Sequence, residues 1–242
     1  MLKAAISGGR IRTSHAFVVD GIGKAIVSGE YGQGSILPGD AELEARFNVS
    51  RTVVREAMKT LAAKGMIVAR ARIGTRVTAR SSWNYFDSDI LRWHLENGAD
   101  VDFLSHLAEM RLSFEPYAAQ LACMRADPAH IARMHEQADA MTVATSMEAF
   151  ALADLDFHMA LLEASKNPFM YSVGALTEAA LVTSFRVSSP HGDAARQAKA
   201  AGEHRRIVEA IEAKNQQEAA DAVVWVILEG KERIVQTLKG SH

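Results

Sequence analysis

The sequence has little of what several protein classes require. Its 242 residues include one cysteine, Cys123, so no disulfide can form within the chain. No run of about 18 apolar residues occurs, and the first residues, MLKAAISGGRIRTSH, lack the apolar stretch and cleavage pattern of a signal peptide. These absences predict a cytoplasmic protein with no membrane contact. Because apolar residues surround Cys123, we expect a buried structural thiol and no redox function.

Charge is distributed unevenly along the chain. Apolar residues make up 48% of the sequence, enough for a core, which excludes a disordered or fibrous protein. The formal net charge is −2, but residues 46–80 hold nine basic side chains and one acid, Glu56, so this segment carries +8 and the remainder −10. A short basic module on an acidic body is typical of proteins that bind nucleic acid.

A helix-turn-helix is predicted within the basic module. Residues 15–28 have helical spacing of apolar side chains, and a second short helix is expected from about Asp40 to Phe47. Asn48 supplies the turn, and Ser50 opens a third helix. The order of helix, tight turn and helix is the one that places a recognition helix in the major groove.

The third helix has one apolar and one cationic face. Its apolar positions recur at i, i+3, i+4 and i+7 and are predicted to pack inward: Val54, Ala57, Met58 and Leu61. An arginine fork can bond the O6 and N7 atoms of guanine or clamp a phosphate. We therefore predict that the other face binds DNA through Ser50, Arg51, Thr52, Arg55 and Lys59.

A small hairpin follows this helix. After Gly65 the sequence reads MIVARARIGTRVTA, with β-branched residues on both sides of Ile73-Gly74, and this predicts two strands with the tip at Gly74. A hairpin after a recognition helix is the wing of a winged helix. Its arginines, Arg70, Arg72 and Arg76, are predicted to reach phosphates or the adjacent minor groove.

The rest of the chain is predicted to be helical. From Phe86 onward no segment alternates with period two, and Asp127-Pro128, Ser146 and Asn167-Pro168 are helix starts, because the polar side chain caps free amides and proline fits the first turn. We expect six or seven helices in an antiparallel bundle. The predicted fold is mainly α, with a winged helix-turn-helix at 12–80, a connector at 81–98 and an all-helical domain at 99–240.

One candidate metal site lies in the helical part. Asp154 and His158 are four residues apart and share a helix face, and His204 comes from a later helix. A carboxylate with two imidazoles is a donor set for zinc or nickel with open positions, although an Asp/His pair on a helix is also a common surface pair. The same residues leave open a metal-dependent hydrolase or dehydratase. No side chain stands out as the general base that such an enzyme needs.

The basic module resembles the DNA-binding domain of the GntR family. The matching motifs in LPGDAELEARFNVSRTVVREAMKTLAAKGMIVARARIGTRV are P-x-x-x-x-L, V-S-R-x-x-V-R-E-A, L-x-x-x-G and G-T-x-V. The resemblance implies that residues 50–52, Arg55 and the wing tip near Gly74 touch operator DNA. It also implies a homodimer on a pseudo-palindromic operator, one half-site for each recognition helix. Ala41 departs from the arginine of many members, which removes one expected DNA contact.

The C-terminal part resembles the FCD effector domain of the FadR branch of this family. The pattern D-x-x-F-H matches Asp154 to His158, and a histidine before an I/L-x-x-A-I run matches His204. The resemblance implies that Asp154, His158 and His204 are metal ligands, with the fourth position, 22 residues after His204, at Val226, which cannot coordinate. The site is then a three-ligand zinc or nickel centre completed by water and effector, or one that has lost its metal.

The resemblance also implies a small carboxylate as effector. Arg111, in EMRLSFEP, matches an arginine that faces the effector pocket, although an ion pair with Glu115 along the helix is the alternative. Arg186 is a second candidate for effector binding. The connector SSWNYFDSDILRW is similar to that of galactonate-responsive repressors of this branch. We therefore predict a repressor released by a sugar acid, with a fatty acyl compound or the metal itself as alternative effectors.

The connector contains an aromatic cluster at helical spacing. Its members are Trp83, Tyr85, Phe86 and Trp93. Aromatic side chains at such spacing are mostly buried in packing. We expect these four to pack between the two domains as a stiff joint.

Overall fold

The computed structural model describes residues 13–98, 101–190 and 192–239. Within them the chain forms two compact units, residues 13–98 and residues 101–239. The architecture is mainly α, as predicted, and the two strands of the one sheet in the described ranges belong to the first unit. No helix of the described residues is long and apolar enough to span a bilayer.

The first unit is a winged helix-turn-helix. Its elements are α1 (Ser14–Val27), α2 (Asp40–Phe47), α3 (Arg51–Ala63), β1 (Ile67–Arg70), β2 (Gly74–Val77), a 3-10 turn (Arg80–Ser82) and α4 (Ser88–Glu96). The hydroxyl of Thr13 accepts from the amide of Ala16 and caps α1. Asn48 adopts the left-handed conformation (φ 52°), which ends α2 and lets α3 begin three residues later.

The wing has one feature that the sequence did not reveal. β1 and β2 pair antiparallel, with Ile67 opposite Val77 and Arg70 opposite Gly74. The loop before α2 pairs with this hairpin at one point, where Ile36 forms an antiparallel bridge with Arg76. This bridge joins the wing to the segment that leads into α2, and it therefore holds the hairpin against the helices.

Two aromatic residues of the predicted connector, which were expected to pack between the domains, lie in the core of the first unit. Trp83 and Trp93 are buried in the core of the first unit, where the ring of Trp93 lies over Gly23 of α1. A Cβ on Gly23 would lie 2.4 Å from that ring, so only glycine leaves room for it. The indole N–H of Trp93 donates to Asp20 at 2.9 Å. α4 thus belongs to the first unit, whereas Phe86 is exposed.

The second unit is all helical. Its elements are α5 (Val101–Arg125), α6 (Pro128–Val143), α7 (Met147–Ala164), α8 (Pro168–Ser172), α9 (Gly174–Ser188), α10 (Ala194–Glu212) and α11 (Gln216–Lys239). The predicted starts at Asp127, Ser146 and Asn167 are confirmed, since each side chain accepts from an amide of the first turn. The single helix predicted from Asn167 is two helices in the structure, since the first ends at Ser172 and the second begins at Gly174. Gly174 packs against Met159 of α7.

Helices α5, α7, α10 and α11 enclose the core of this unit. α5 packs against α7, α10 and α11, and its central residues, Ala118, Ala119 and Ala122, are buried. The small side chains allow these helices to approach closely. Cys123 is buried beside the carbonyl of Ala210 on α10, as expected for a structural thiol. Burial raises its pKa, so the thiol stays protonated.

Candidate nucleic-acid interface and effector site

The cationic face of α3 points to solvent. Val54, Ala57 and Leu61 are buried in the first unit, and this orientation turns the opposite face outward. Arg51 and Lys59 each keep 70% of their side chain exposed. All five predicted DNA-binding residues of this helix and its N-cap are exposed to solvent: Ser50, Arg51, Thr52, Arg55 and Lys59.

Two of these cations have local carboxylate partners. Nε of Arg51 lies 3.6 Å from Asp40, and Nζ of Lys59 lies 2.8 Å from Glu56 on the same helix. Exposed pairs of this kind are weak, about 0 to 1 kcal/mol, so a phosphate or base edge can displace them. The face is therefore available to a polyanion.

The tip of the wing differs from the prediction. Gly74 is the first residue of β2, and the turn is formed by residues 71–73. Arg72 takes a left-handed conformation (φ 64°) at the apex, and Gly74 follows with φ 109°. The apex therefore presents an exposed arginine and the exposed Ile73, while Gly74 supplies the backbone freedom that the turn needs.

In the helical unit, the three predicted metal ligands come together. Asp154 and His158 project from α7 and His204 from α10, and all three are buried. Oδ1 of Asp154 lies 2.8 Å from Nε2 of His204 and 3.4 Å from Nε2 of His158. Their donor atoms all lie within 4.8 Å of one another.

Neighbouring groups fix the orientation of both imidazoles. Nδ1 of His204 donates to the carbonyl of Ala200 at 2.7 Å, and Nδ1 of His158 lies 2.9 Å from the carboxylate of Glu115. Both rings therefore direct Nε2 toward Asp154. Histidines that bind metal are held in this way, with the second ring nitrogen bonded to a carbonyl or carboxylate.

The cluster suits a cation. With Nδ1 of His204 committed as a donor, Nε2 of the neutral ring is an acceptor, and it faces another acceptor, Oδ1 of Asp154. Both atoms are buried, and neither has a hydrogen-bond partner within the described part of the chain. A shared proton or a metal ion satisfies both. Zinc at about 2.0 Å from each ligand places neighbouring donor atoms about 3.3 Å apart, close to the spacing here.

Arg111 forms the ion pair with Glu115 that was the alternative prediction for it, and it also lines a cavity. Its Nε donates to Glu115 at 2.7 Å, and Thr177 of α9 donates to the same carboxylate oxygen. Nη2 of Arg111 also lies 3.2 Å from Nε2 of His158, at the edge of a cavity. Burial raises the pKa of Glu115, but Arg111 and His158 outweigh it and hold this pKa well below its usual range. Glu115 thus stays ionised and orients both neighbours.

The cluster opens onto a cavity of about 470 Å³. Asp154, His204 and Arg111 line it, together with Trp225, Val226 and Arg233 of α11. The remaining charged side chains of the wall are Arg196, Lys199 and Glu229. Cations exceed carboxylates in the wall, four to two, so the cavity favours an anion.

Some site residues were missed by sequence reasoning. Arg196 lies two turns before His204 on α10, and Arg233 lies two turns after Val226 on α11. Residues two helical turns away share a helix face, so the spacing from His204 and Val226 could have indicated Arg196 and Arg233 from the sequence. Val226, which occupies the fourth ligand position of the family pattern, lines the cavity and carries no donor atom. Arg186 lies in α9, but its side chain is outside the described part of the structure.

Comparison with family models accounts for both units. Residues 15–77 match the model of bacterial regulatory proteins of the gntR family, and residues 106–227, half of the chain, match the FCD domain. The chain belongs to the GntR family. It is a GntR-type transcriptional regulator with a C-terminal FCD domain and is not an enzyme, which removes the hydrolase and dehydratase alternative.

Relatives of this GntR regulator include repressors. The galactonate operon transcriptional repressor of Escherichia coli K12 is 32% identical over 218 residues, 90% of this chain and 95% of that protein. The uncharacterized HTH-type regulator YieP of the same organism is 38% identical over 167 residues, 68% and 73% of the two chains. The repressor NanR of Klebsiella aerogenes is 33% identical over 158 residues, 62% and 58%.

Solved structures show the same fold. Lar of Listeria monocytogenes superimposes with a TM-score of 0.65 at 17% identity, covering 94% of this chain and 99% of that one. McbR/YncC of E. coli gives a TM-score of 0.55 at 14% identity, with 94% and 100% coverage. At such identities the likeness concerns the fold alone.

Proposed function

We propose that this regulator is a homodimeric repressor whose operator binding is released when a sugar acid such as galactonate enters the helical unit. The observation that supports this most is the buried cluster of Asp154, His158 and His204 with Arg111 beside it, open to a cavity rich in cations. The relative that covers 90% of the chain is a galactonate operon repressor.

The DNA-binding half of the proposal rests on the exposed face of α3 and the wing. Each protomer would place Arg51, Arg55 and Lys59 in one half-site, with Ser50 and Thr52 at the helix start against phosphate and bases. Arg72 at the wing apex would reach the backbone or the adjacent minor groove. Two-fold symmetry of a dimer then sets the spacing of the half-sites.

The part of the proposal that concerns effector binding includes a metal ion. Asp154, His158 and His204 would hold zinc or nickel, and Val226 leaves one position open for the ligand. The metal supplies a Lewis-acid site for a carboxylate oxygen when it is bound. Nη2 of Arg111, which lies 3.2 Å from Nε2 of His158 and also donates to Glu115, would donate to the second oxygen of the same carboxylate.

The experiment measures DNA release directly. An operator duplex selected from a random pool is labelled, and its binding by the zinc-loaded protein is followed by fluorescence anisotropy at fixed salt while galactonate is added. We expect release in the presence of zinc and none after chelation. Asp154→Asn should keep DNA affinity and lose the response, whereas Glu163→Gln, which removes a charge from the exposed side of α7, should keep both.

Three results would contradict the proposal. Release by zinc alone would identify the metal as the effector, and release by a fatty acyl compound in place of sugar acids would identify that class. Consumption of galactonate by the protein would reinstate an enzyme. Ligand binding counts as regulatory only if the ligand favours the form that does not bind DNA.

A further inference from the structure

On the wall that α11 contributes to the cavity, Arg233 has no counterion among the described residues. Nε of Arg233 is buried and has no hydrogen-bond partner among the described residues. No carboxylate in the described part of the chain lies within ion-pair distance, 4.0 Å, of this side chain. A buried charged donor without an acceptor is unfavourable unless a ligand supplies one.

The nearby carboxylates of the cavity have other partners. Glu229, one turn before Arg233 on α11, lies 3.2 Å from Nζ of Lys199, and Asp154 faces the two histidines. Burial lowers the pKa of Arg233 although both carboxylates attract it. Because an arginine guanidinium stays protonated in proteins, Arg233 remains a cation whose charge these two carboxylates balance incompletely.

The cavity wall extends along about two turns of α11. Val226 and Arg233 both line it and are separated by two turns of α11, about 10 Å along the helix axis. Between them, Gly230 has no side chain, and a Cβ there would meet only Nη2 of Arg233, at 3.8 Å. An extended six-carbon chain with bonds of about 1.5 Å spans about 6 Å, and an arginine side chain covers the remainder.

We propose that Arg233 is the centre of a second anion-binding subsite, so that the effector is a sugar acid with anionic groups at both ends. The inference rests on the proposed function, since the first carboxylate is the one held at Asp154, His158, His204 and Arg111. The second group is a carboxylate or a phosphate. Either accepts several hydrogen bonds from a guanidinium, and the cation excess of the cavity wall matches a dianion.

Matched ligand pairs test the subsite. Isothermal titration calorimetry on the full-length zinc-loaded protein compares galactonate with galactarate, which differ only in a hydroxymethyl or carboxylate at carbon six, and gluconate with 6-phosphogluconate. We expect galactarate or 6-phosphogluconate, each of which is anionic at both ends, to bind about 10-fold or more tightly than its monoanionic partner. Arg233→Met should reduce this preference to less than about threefold, and Arg233→Lys should keep part of it.

The control is a second arginine on the wall-forming helices. Arg205→Met removes a cation of α10 that pairs with Asp139 at the surface and does not line the cavity, and it should leave the preference unchanged. A preference for galactarate or for 6-phosphogluconate identifies the second group as carboxylate or phosphate.

Equal affinity within both pairs, or a preference that survives Arg233→Met in a folded protein, overturns the subsite while leaving the proposed function intact. If none of the four ligands binds, both proposals fail.

Discussion

In the first unit the cations assigned to function lie in solvent, whereas Arg111 of the helical unit is buried beside a carboxylate. Arg51 keeps 70% of its side chain exposed on α3, while Arg111 keeps 8% and is bonded to a fully buried Glu115. DNA is a large polyanion that approaches a surface, so its contacts require exposure. A small ligand must leave water, so its contacts must be oriented in advance by neighbouring side chains.

The largest expected difference between the units concerns their ion pairs. Glu115→Ala leaves Arg111 as an uncompensated buried charge and should lower the free energy of unfolding by about 3 to 5 kcal/mol. Glu30→Ala removes the exposed partner of Arg46 in the first unit and should cost less than about 1 kcal/mol. Urea denaturation followed by circular dichroism measures both. Similar losses would remove the distinction between buried and exposed pairs.

The DNA-binding face should tolerate substitution without loss of stability. Arg51→Ala and Arg55→Ala should each weaken specific operator binding by about 1 to 3 kcal/mol, because each removes a contact to bases or phosphate. Their unfolding midpoints should stay within error of the parent, since both side chains are exposed. Arg133→Ala, an exposed arginine of α6, serves as the control in the same anisotropy assay. Unchanged DNA affinity in both variants would contradict the assignment of α3 as recognition helix.

The first unit also contains one buried acid whose titration is measurable. Burial alone raises the pKa of Asp20, but hydrogen bonds from Trp93, Lys24 and Arg92 outweigh it and lower this pKa to about 2. A depressed pKa stabilises the fold above the unfolded value of 3.8, and this stabilisation disappears as pH falls through about 2. The contribution is about 2 kcal/mol. Asp20→Asn should therefore flatten the acid limb of the stability profile of this unit, and an unchanged profile would contradict the shift.

The smallest expected effects come from a matched pair of glycines. Gly23→Ala places a methyl against the buried ring of Trp93 and should destabilise the first unit by about 1 to 2 kcal/mol, after the gain in helix propensity is counted. Gly202→Ala, in α10 with open space around its Cβ position, should stabilise the helical unit by about 0.5 to 1 kcal/mol. Thermal unfolding of the two variants gives the signs, and equal signs would show that the Trp93 contact is not tight.

Sequence reasoning succeeded where a signal lies within one helix. The spacing of Val54, Ala57 and Leu61 fixed which side of α3 faces inward, and the pair of Asp154 and His158 was placed on one face by its spacing of four. The caps at Asp127 and Ser146 gave helix starts for the same reason. Such signals depend only on helix geometry.

What could not be read from the sequence depends on contacts between distant elements. Trp93 was assigned to an interdomain joint, because nothing in its own segment shows that Gly23, 70 residues earlier, leaves room for the ring. The bridge from Ile36 to Arg76 and the unpaired Arg233 are of the same kind. The sequence offered His204 as a partner of Asp154, and the family resemblance matched it to a ligand position, but the orienting roles of Glu115 and Ala200 required coordinates.

Cys123 is a native probe of how often the helical unit opens. It is the one thiol in the sequence, and it is buried on α5 with its proton retained. A thiol-specific reagent can modify it only when α5 separates from α10, so the labelling rate reports how often this unit opens. Ligands that close the cavity should slow the labelling without any engineered dye or tag.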